Sequence, residues 1–321
     1  MRIAVLDDYH RVAHGFADWT ALNSEVAFFD RPIAAADLPR VLHEFDVLVL
    51  MRERTAFPRE LLEQLPNLKL LVSTGMRNAA VDIAFLNERG VTVCGTSIPG
   101  YGEPGWRGLP STVEVAWALI FAVLKRVAVE DAALRGGVWQ KGLPHNLGGR
   151  TLGLLGLGRL GGAMVAPAKV FGMDVIAWSE NLTPERAQQA GAVHVTKSEL
   201  LARADVLSIH LVLSGRTRGL IGAAELAQMR PTATLINTSR GPIVDEPSLI
   251  AALRGGQIAA AGLDVYDHEP LEADSELLGL PNTVLLPHLG YVSEDTLRPM
   301  YQQCVEDIAA FMAGEPIRVV T

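Results

Sequence analysis

The sequence predicts an α/β protein built on two doubly wound parallel sheets. Three observations carry that prediction. Short apolar, β-branched runs alternate with helical segments through the first third of the chain. A second alternation of the same kind starts afresh at Thr151. The 321 residues are about twice the ~150 of a common domain, so two domains are expected.

In the first alternation Ile3–Leu6, Val47–Met51, Leu68–Ser73 and Val91–Cys94 read as buried strands. Ala34–His43, Pro58–Gln64 and Ala79–Arg89 are long enough for the helices between them. Ser97–Pro110 is half Gly and Pro, carries Tyr101, Trp106 and Arg107, and reads as a connector. It opens into a helix over Ser111–Arg126, with Glu114 three residues after Ser111 in the spacing of a capping box. The second alternation continues through Val175–Trp178, Val206–His210, Thr234–Asn237, Ala260–Asp264 and Thr283–Leu286. A helix over Glu294–Met312 and a short strand over Pro316–Val320 follow. If that helix returns to the first unit, the second unit is an insertion; the sequence leaves this topology open.

Composition excludes several function classes. The net charge is −8, from 28 Lys plus Arg against 36 Asp plus Glu, which leaves no basic field for nucleic acid or anionic lipid. A local group of arginines can still bind a small anion. The start, Met1-Arg-Ile-Ala-Val-Leu-Asp-Asp, lacks the basic and then long apolar order of a secretory signal. The longest apolar stretch, Val115–Leu124, is well short of the roughly 20 residues of a membrane span. Cys94 and Cys304 lie far apart and fit reduced thiols in a cytoplasmic protein. His10 and His14 have a metal-ligand spacing but no clustered third ligand, so a solvated helix is the better reading and no metal is expected.

Thr151-Leu-Gly-Leu-Leu-Gly156-Leu-Gly158-Arg159-Leu160-Gly161-Gly162 is a strand running into Gly-x-Gly-x-x-Gly and then a helix over Ala163–Phe171. Gly156 permits the tight turn, Gly158 lets a pyrophosphate approach the backbone, and Gly161 lets the helix sit close to its strand. The first strand ends in Asp7-Asp8-Tyr9 instead, with no glycine and so no phosphate cradle. After Asp174–Trp178 an acid would bond the adenosine ribose; Ser179, Glu180 and Asn181 stand there. Ser179 and Asn181 can bond a ribose and Glu180 repels a 2′-phosphate, favouring NAD, while Arg159 and Arg186 leave NADP open.

Three later stretches follow strands: Asn237-Thr238-Ser239-Arg240-Gly241, Leu263-Asp264-Val-Tyr-Asp-His268-Glu269-Pro270 and Leu286-Pro-His288-Leu-Gly290. They put an arginine, carboxylates and a histidine at the carboxyl edge of the sheet, on the side of the Gly loop. An Arg fork binds a carboxylate in bidentate fashion. A His bonded to a Glu is held in one tautomer with its protonated form favoured, which suits a general acid. His268 adjoins Glu269 but reads as a loop residue, and His210 either lines the cofactor groove or caps a strand. Trp117, Phe121 and Leu124 at helical spacing read as core or interface packing.

On these motifs, and on their order and spacing over nearly the whole length, the chain resembles the D-isomer-specific 2-hydroxyacid dehydrogenases, phosphoglycerate dehydrogenase among them. The resemblance implies a Rossmann cofactor domain (111–291) inserted into a flavodoxin-like substrate domain (1–110 and 292–321). It implies that Arg240 binds the carboxylate and carbonyl oxygen of a small anionic 2-oxo or 2-hydroxy acid, that His288 is the acid/base and that Glu269 orients it. Gly156, Gly158, Arg159, Leu160, Gly161, Ser179, Asn181, His210, Thr238, Ser239, Asp264 and Gly290 would hold NAD, with Asp264 on the nicotinamide carboxamide. A loop at Thr74, Gly75, Met76 and Arg77 would offer backbone N–H groups to the substrate carboxylate, and a homodimer is implied. The chain departs from the pattern where Arg77 replaces the second glycine of that loop, where the ribose-binding Asp is missing, and where the 97–110 connector is longer than usual. Rival readings are an NAD(H)-sensing, co-repressor-like binding protein on the same fold and formate or phosphite dehydrogenases. Glu269 in place of a Gln disfavours formate, and Met76 where a Lys would be expected disfavours phosphite.

Overall fold

The computed structural model describes residues 1–97 and 108–321. The chain divides into two compact units, one of Met1–Trp106 with Ser293–Thr321 and the other Arg107–Val292. The connector reading at Ser97–Pro110, with Tyr101, Trp106 and Arg107, lies mostly outside the described residues.

The first unit is a five-stranded parallel sheet of β1 (Arg2–Val5), β2 (Glu25–Phe28), β3 (Val47–Leu50), β4 (Leu70–Ser73) and β5 (Thr92–Gly95), ordered β2-β1-β3-β4-β5. This is the flavodoxin-like order. Its central strands are the apolar runs of the sequence, and Ala4, Leu48, Leu71 and Val93 join one core. Strand β2 was not singled out from the sequence: it is an edge strand with no fully buried residue, and its apolar run Val26-Ala27-Phe28-Phe29 is too short to tell a strand from a helix by pattern alone.

The helices are shorter than the sequence suggests. Ala34–His43 yields only Leu38–Leu42, because Pro39 lacks an N–H and belongs in a first turn. Ala79–Arg89 yields Ile83–Glu88, whose start is set by Asp82 accepting from Phe85 N at 3.0 Å. The helix Glu294–Met312 forms as expected and belongs to the first unit. Pro316–Val320 is no independent strand; it contributes one antiparallel bridge, Val319 opposite Cys94.

The second unit is a seven-stranded parallel sheet of β6 (Thr151–Leu155), β7 (Asp174–Trp178), β8 (Val193–His194), β9 (Val206–Ile209), β10 (Thr234–Asn237), β11 (Ala260–Leu263) and β12 (Thr283–Leu285). The order is β12-β11-β10-β9-β6-β7-β8, the Rossmann order with one added strand, and its switch point lies between β6 and β9. The helix Ser111–Leu124 packs on β10, β11 and β12. Gly262 lets the helix sit close to β11, since a Cβ on it would lie 3.1 Å from Leu119 Cβ. The expected capping box is absent: Pro110 holds the cap position and Ser111 already lies inside the helix, making no capping bond. The single helix expected over Ala163–Phe171 is instead Arg159–Ala163 and Val165–Val170. Pro167 has no N–H for the carbonyl of Ala163, and the pair is divided at Met164.

Candidate active site

Every motif singled out in the second unit lies just past the carboxyl end of a strand. Gly156 follows β6, Ser179 follows β7, His210 follows β9, Arg240 lies three residues past β10, Asp264 follows β11 and His288 lies three past β12. Because the strands are parallel, these ends share one edge of the sheet. The glycine loop sits at the switch point, and the titratable groups lie on the β10–β12 side.

At the switch point the glycines fit a dinucleotide. Gly156 has φ +104°, and a Cβ on it would meet His210 O at 2.7 Å. A Cβ on Gly161 would lie 2.1 Å from Gly156 O, so the helix can press on the turn only without one. Gly158 is exposed and a Cβ there would meet nothing within 4 Å, so the space beside it is open for a ligand. Arg159 is exposed beside it and Leu160 is half-buried. The hydroxyl of Thr238 is buried and meets no partner among the described residues, as expected of a group that a cofactor completes. Ser179 is half-buried and Asn181 exposed past β7.

His210 supports this corner from below. Its amide donates to Leu155 O at 2.8 Å, its carbonyl backs Gly156, and its Nε2 lies 2.9 Å from Ser208 Oγ. Burial lowers its pKa to about 4, so the ring is neutral. Ser239 is also tied inward, its hydroxyl donating to Leu211 O and its amide to Asn237 Oδ1 at 3.0 Å.

On the other side, Glu269 Oε2 lies 2.5 Å from His288 Nδ1, while Glu269 Oε1 accepts from Tyr266 N at 3.0 Å. The carboxylate is thereby fixed at both oxygens, and the imidazole keeps Nε2 for another partner. His288 has φ +55°, a left-handed conformation that costs a non-glycine residue about 1–3 kcal/mol. The next two residues hold it there: Leu289 N and Gly290 N donate to the two oxygens of Asp264 at 2.6 and 2.7 Å. Asp264 is fully buried, and burial raises its pKa to about 6 against the pull of those amides. Its oxygens therefore serve the His288 loop, a task beyond the carboxamide contact that the family resemblance implies. Tyr291 packs edge-on against His288, ring centroids 5.4 Å apart.

Arg240 is framed by Asn237, whose Nδ2 donates to Arg240 O at 3.0 Å, and its own Nη1 donates to Ser239 O at 2.7 Å. Gly241 makes the frame possible: a Cβ on it would collide with Tyr266 C at 2.0 Å. Thr112, Asn237, Gly241 and Tyr266 were not singled out as site residues. Thr112 Oγ1 donates to Gly290 O at 2.7 Å from a helix distant in sequence, which no local pattern announces. Asn237 and Gly241 flank Arg240 in the motif itself, and a strand-end Asn before a Gly was the available signal.

In the first unit, the loop after β4 is stiff at its start and exposed at its tip. Thr74 is buried, its hydroxyl accepting from Arg52 N at 2.9 Å, and Arg52 Nη1 donates to Thr74 O at 3.1 Å. Met76 and Arg77 are exposed. Asn78 Nδ2 donates to Arg52 O at 2.7 Å and closes the loop.

Residues 117–290 match the family model "D-isomer specific 2-hydroxyacid dehydrogenase, NAD binding domain". A glyoxylate reductase of Thermococcus litoralis is 38% identical over 284 residues, covering 85% of this chain and 82% of that one. The chain belongs to the D-isomer specific 2-hydroxyacid dehydrogenases. A hydroxypyruvate reductase of Blautia hydrogenotrophica is 29% identical over 100% of this chain and 99% of its own length. A solved structure titled phosphoglycerate oxidoreductase, from Vibrio cholerae, has a TM-score of 0.89 at 34% identity, covering 98% of this chain and 99% of that one. The protein is thus an oxidoreductase of this dehydrogenase family with NAD as its cofactor, as the motifs implied. Among the described residues no helix is long and apolar enough to cross a membrane.

Proposed function

We propose that this dehydrogenase reduces a 2-oxo acid to the D-2-hydroxy acid, with His288 as proton donor and Arg240 as the carboxylate anchor. The observation that carries the reading is the 2.5 Å His288–Glu269 contact in the segments that follow β12 and β11, with Arg240 in the segment that follows their neighbour β10. Bound NADH supplies the hydride. Glu269 holds His288 through Nδ1, leaving Nε2–H to protonate the substrate oxygen as charge builds on it. The Arg240 guanidinium stabilises that developing alkoxide and fixes the carboxylate in bidentate fashion. In the reverse direction His288 Nε2 accepts the hydroxyl proton.

Gly156, Gly158 and Gly161 with Arg159, Leu160 and Thr238 are proposed to hold the pyrophosphate and nicotinamide halves of the dinucleotide. Ser179 and Asn181 are proposed to hold the ribose, and Glu180 to favour NAD over NADP. Thr74, Gly75, Met76 and Arg77 are proposed as substrate contacts, supported by the Met76 and Arg77 amides, which meet no acceptor among the described residues. A homodimer is proposed on the second unit, where Trp139 is 77% and Leu143 89% exposed beside exposed Val138 and Leu134. Trp139→Glu should then halve the mass measured by light scattering.

The test of the reaction is the loss of reduced-nicotinamide absorbance, with NADH and NADPH in parallel, over 2-oxo acids graded by size and charge. Turnover with NADH that collapses in both His288→Ala and Arg240→Ala is the expected result. Near-normal turnover in both variants would overturn the assignment.

A further inference from the structure

The loop Thr74–Arg77, given to the substrate in the reading above, on which this inference rests, lies against a glycine that no motif marks. Gly95 ends β5, and a Cβ on it would lie 2.7 Å from Gly75 O and 3.0 Å from Met76 Cα. Both are backbone atoms, so the loop keeps its place only while residue 95 has no side chain. Thr96 N, one residue on, donates to Ser73 O at 3.0 Å and fixes the spacing at the loop's root.

Strand β5 is itself braced from its outer edge. Gly95 N donates to Arg318 O at 3.0 Å and Val320 N to Val93 O at 2.8 Å. Arg318 is tied in turn to the helix Glu294–Met312: its Nε donates to Asp307 Oδ1 at 2.8 Å and its Nη2 to Glu306 Oε2 at 2.8 Å and Gln303 O at 3.0 Å. Charge-assisted bonds of this kind are roughly twice as strong as neutral ones. Val320 then joins Leu71, Val81 and Val93 in the apolar floor beneath Gly75–Asn78.

We infer that Gly95 and the Arg318–Val320 segment are positioning elements of the substrate loop, setting where the Met76 and Arg77 amides point. Hydrogen bonds weaken steeply as the angle closes, so small displacements of two amides lower carboxylate affinity. His288 and Arg240 are untouched by such a displacement, so the chemical step keeps its rate. The signature is a KM effect without a kcat effect.

The experiment compares Gly95→Ala and Val320→Ala with Gly15→Ala, a control in the same unit whose Cβ would meet nothing within 4 Å. Amide resonances of Met76 and Arg77 are followed by NMR, alongside KM and kcat for glyoxylate and hydroxypyruvate and the Kd of NADH. The expected result for Gly95→Ala is displaced Met76 and Arg77 resonances and a KM raised about tenfold or more. Its kcat should stay within about twofold and its NADH affinity should not change. Val320→Ala shows the same pattern at smaller size and serves alone if Gly95→Ala does not fold; Gly15→Ala shows none of it. Unmoved resonances with unchanged KM in folded variants overturn the inference. Moved resonances with unchanged KM overturn the assignment of the loop to the substrate, so the two failures can be told apart.

Discussion

The turns after β1 and β6 occupy the same place in two parallel sheets, and the chain treats them in opposite ways. After β6, Gly156 and Gly158 keep side chains out, and a Cβ at Gly158 would stand in open space. After β1, Asp8 turns its carboxylate onto the helix that follows, accepting from Val12 N and Ala13 N at 3.0 Å each. Asp7 is buried beside it, accepting from Thr55 Oγ1 at 2.8 Å and Tyr9 OH at 3.1 Å. The topology offers an anion-binding corner twice. In the first unit the chain fills it with its own carboxylate, and only the second leaves it open, where the dinucleotide is proposed to bind.

Loss of the proposed proton donor should be the largest effect. His288→Ala should lower kcat by roughly 100- to 10,000-fold and leave the Kd of NADH, followed by fluorescence, unchanged. Next come the two glycines that separate packing from binding. Gly161→Ala forces a Cβ within 2.1 Å of Gly156 O and should cost about 1–3 kcal/mol of stability, with NADH binding weakened as well. Gly158→Ala meets no protein atom, so denaturant unfolding of the free protein should be unchanged while NADH binds about tenfold more weakly. Equal losses of stability in the two variants would erase the distinction between a packing glycine and a ligand-facing one.

The contrast between these corners was already legible, because it is local. Gly156-Leu-Gly-Arg-Leu-Gly161 and Asp7-Asp8-Tyr9 each announce their chemistry within a few residues, next to strands marked by apolar runs. The placement of the residues proposed for catalysis was legible for a related reason: Arg240, Glu269 and His288 each trail a strand, and parallel strands bring such residues to one edge. What escaped was the support between distant segments. Asp264 gripping the amides of Leu289 and Gly290, Thr112 reaching Gly290 O and Gly95 lying under Gly75 depend on which strands and helices neighbour one another. Edge strand β2 was missed because a four-residue apolar run, Val26–Phe29, does not by itself separate strand from helix, and the helix Leu38–Leu42 is short because proline decides its start.

Asp8→Ala tests the filled corner. It removes the acceptor of two helix-start amides, and such caps are worth about 1–2 kcal/mol, so Tm should fall while NADH affinity does not change. A change in NADH affinity would mean that the first corner also serves the dinucleotide.

The smallest effect concerns the buried carboxylate at each edge. Asp264, in the second unit, has its pKa raised to about 6 by burial; Asp7, in the first, is raised by burial too, against Thr55 and Tyr9. A carboxyl whose folded pKa lies above its unfolded value of about 3.9 contributes stability at low pH and loses it as pH rises through the folded value. For Asp264 that loss falls between about pH 4 and pH 6. Asp264→Asn should therefore flatten the dependence of Tm on pH in that window relative to the parent. It should also slow turnover, since Asn offers one accepting oxygen where the carboxylate gives one oxygen each to Leu289 N and Gly290 N, and its NH2 would face one of those amides beside the left-handed His288. A parallel slope with unchanged kcat would show that the β11 carboxylate is as passive as the filled corner after β1.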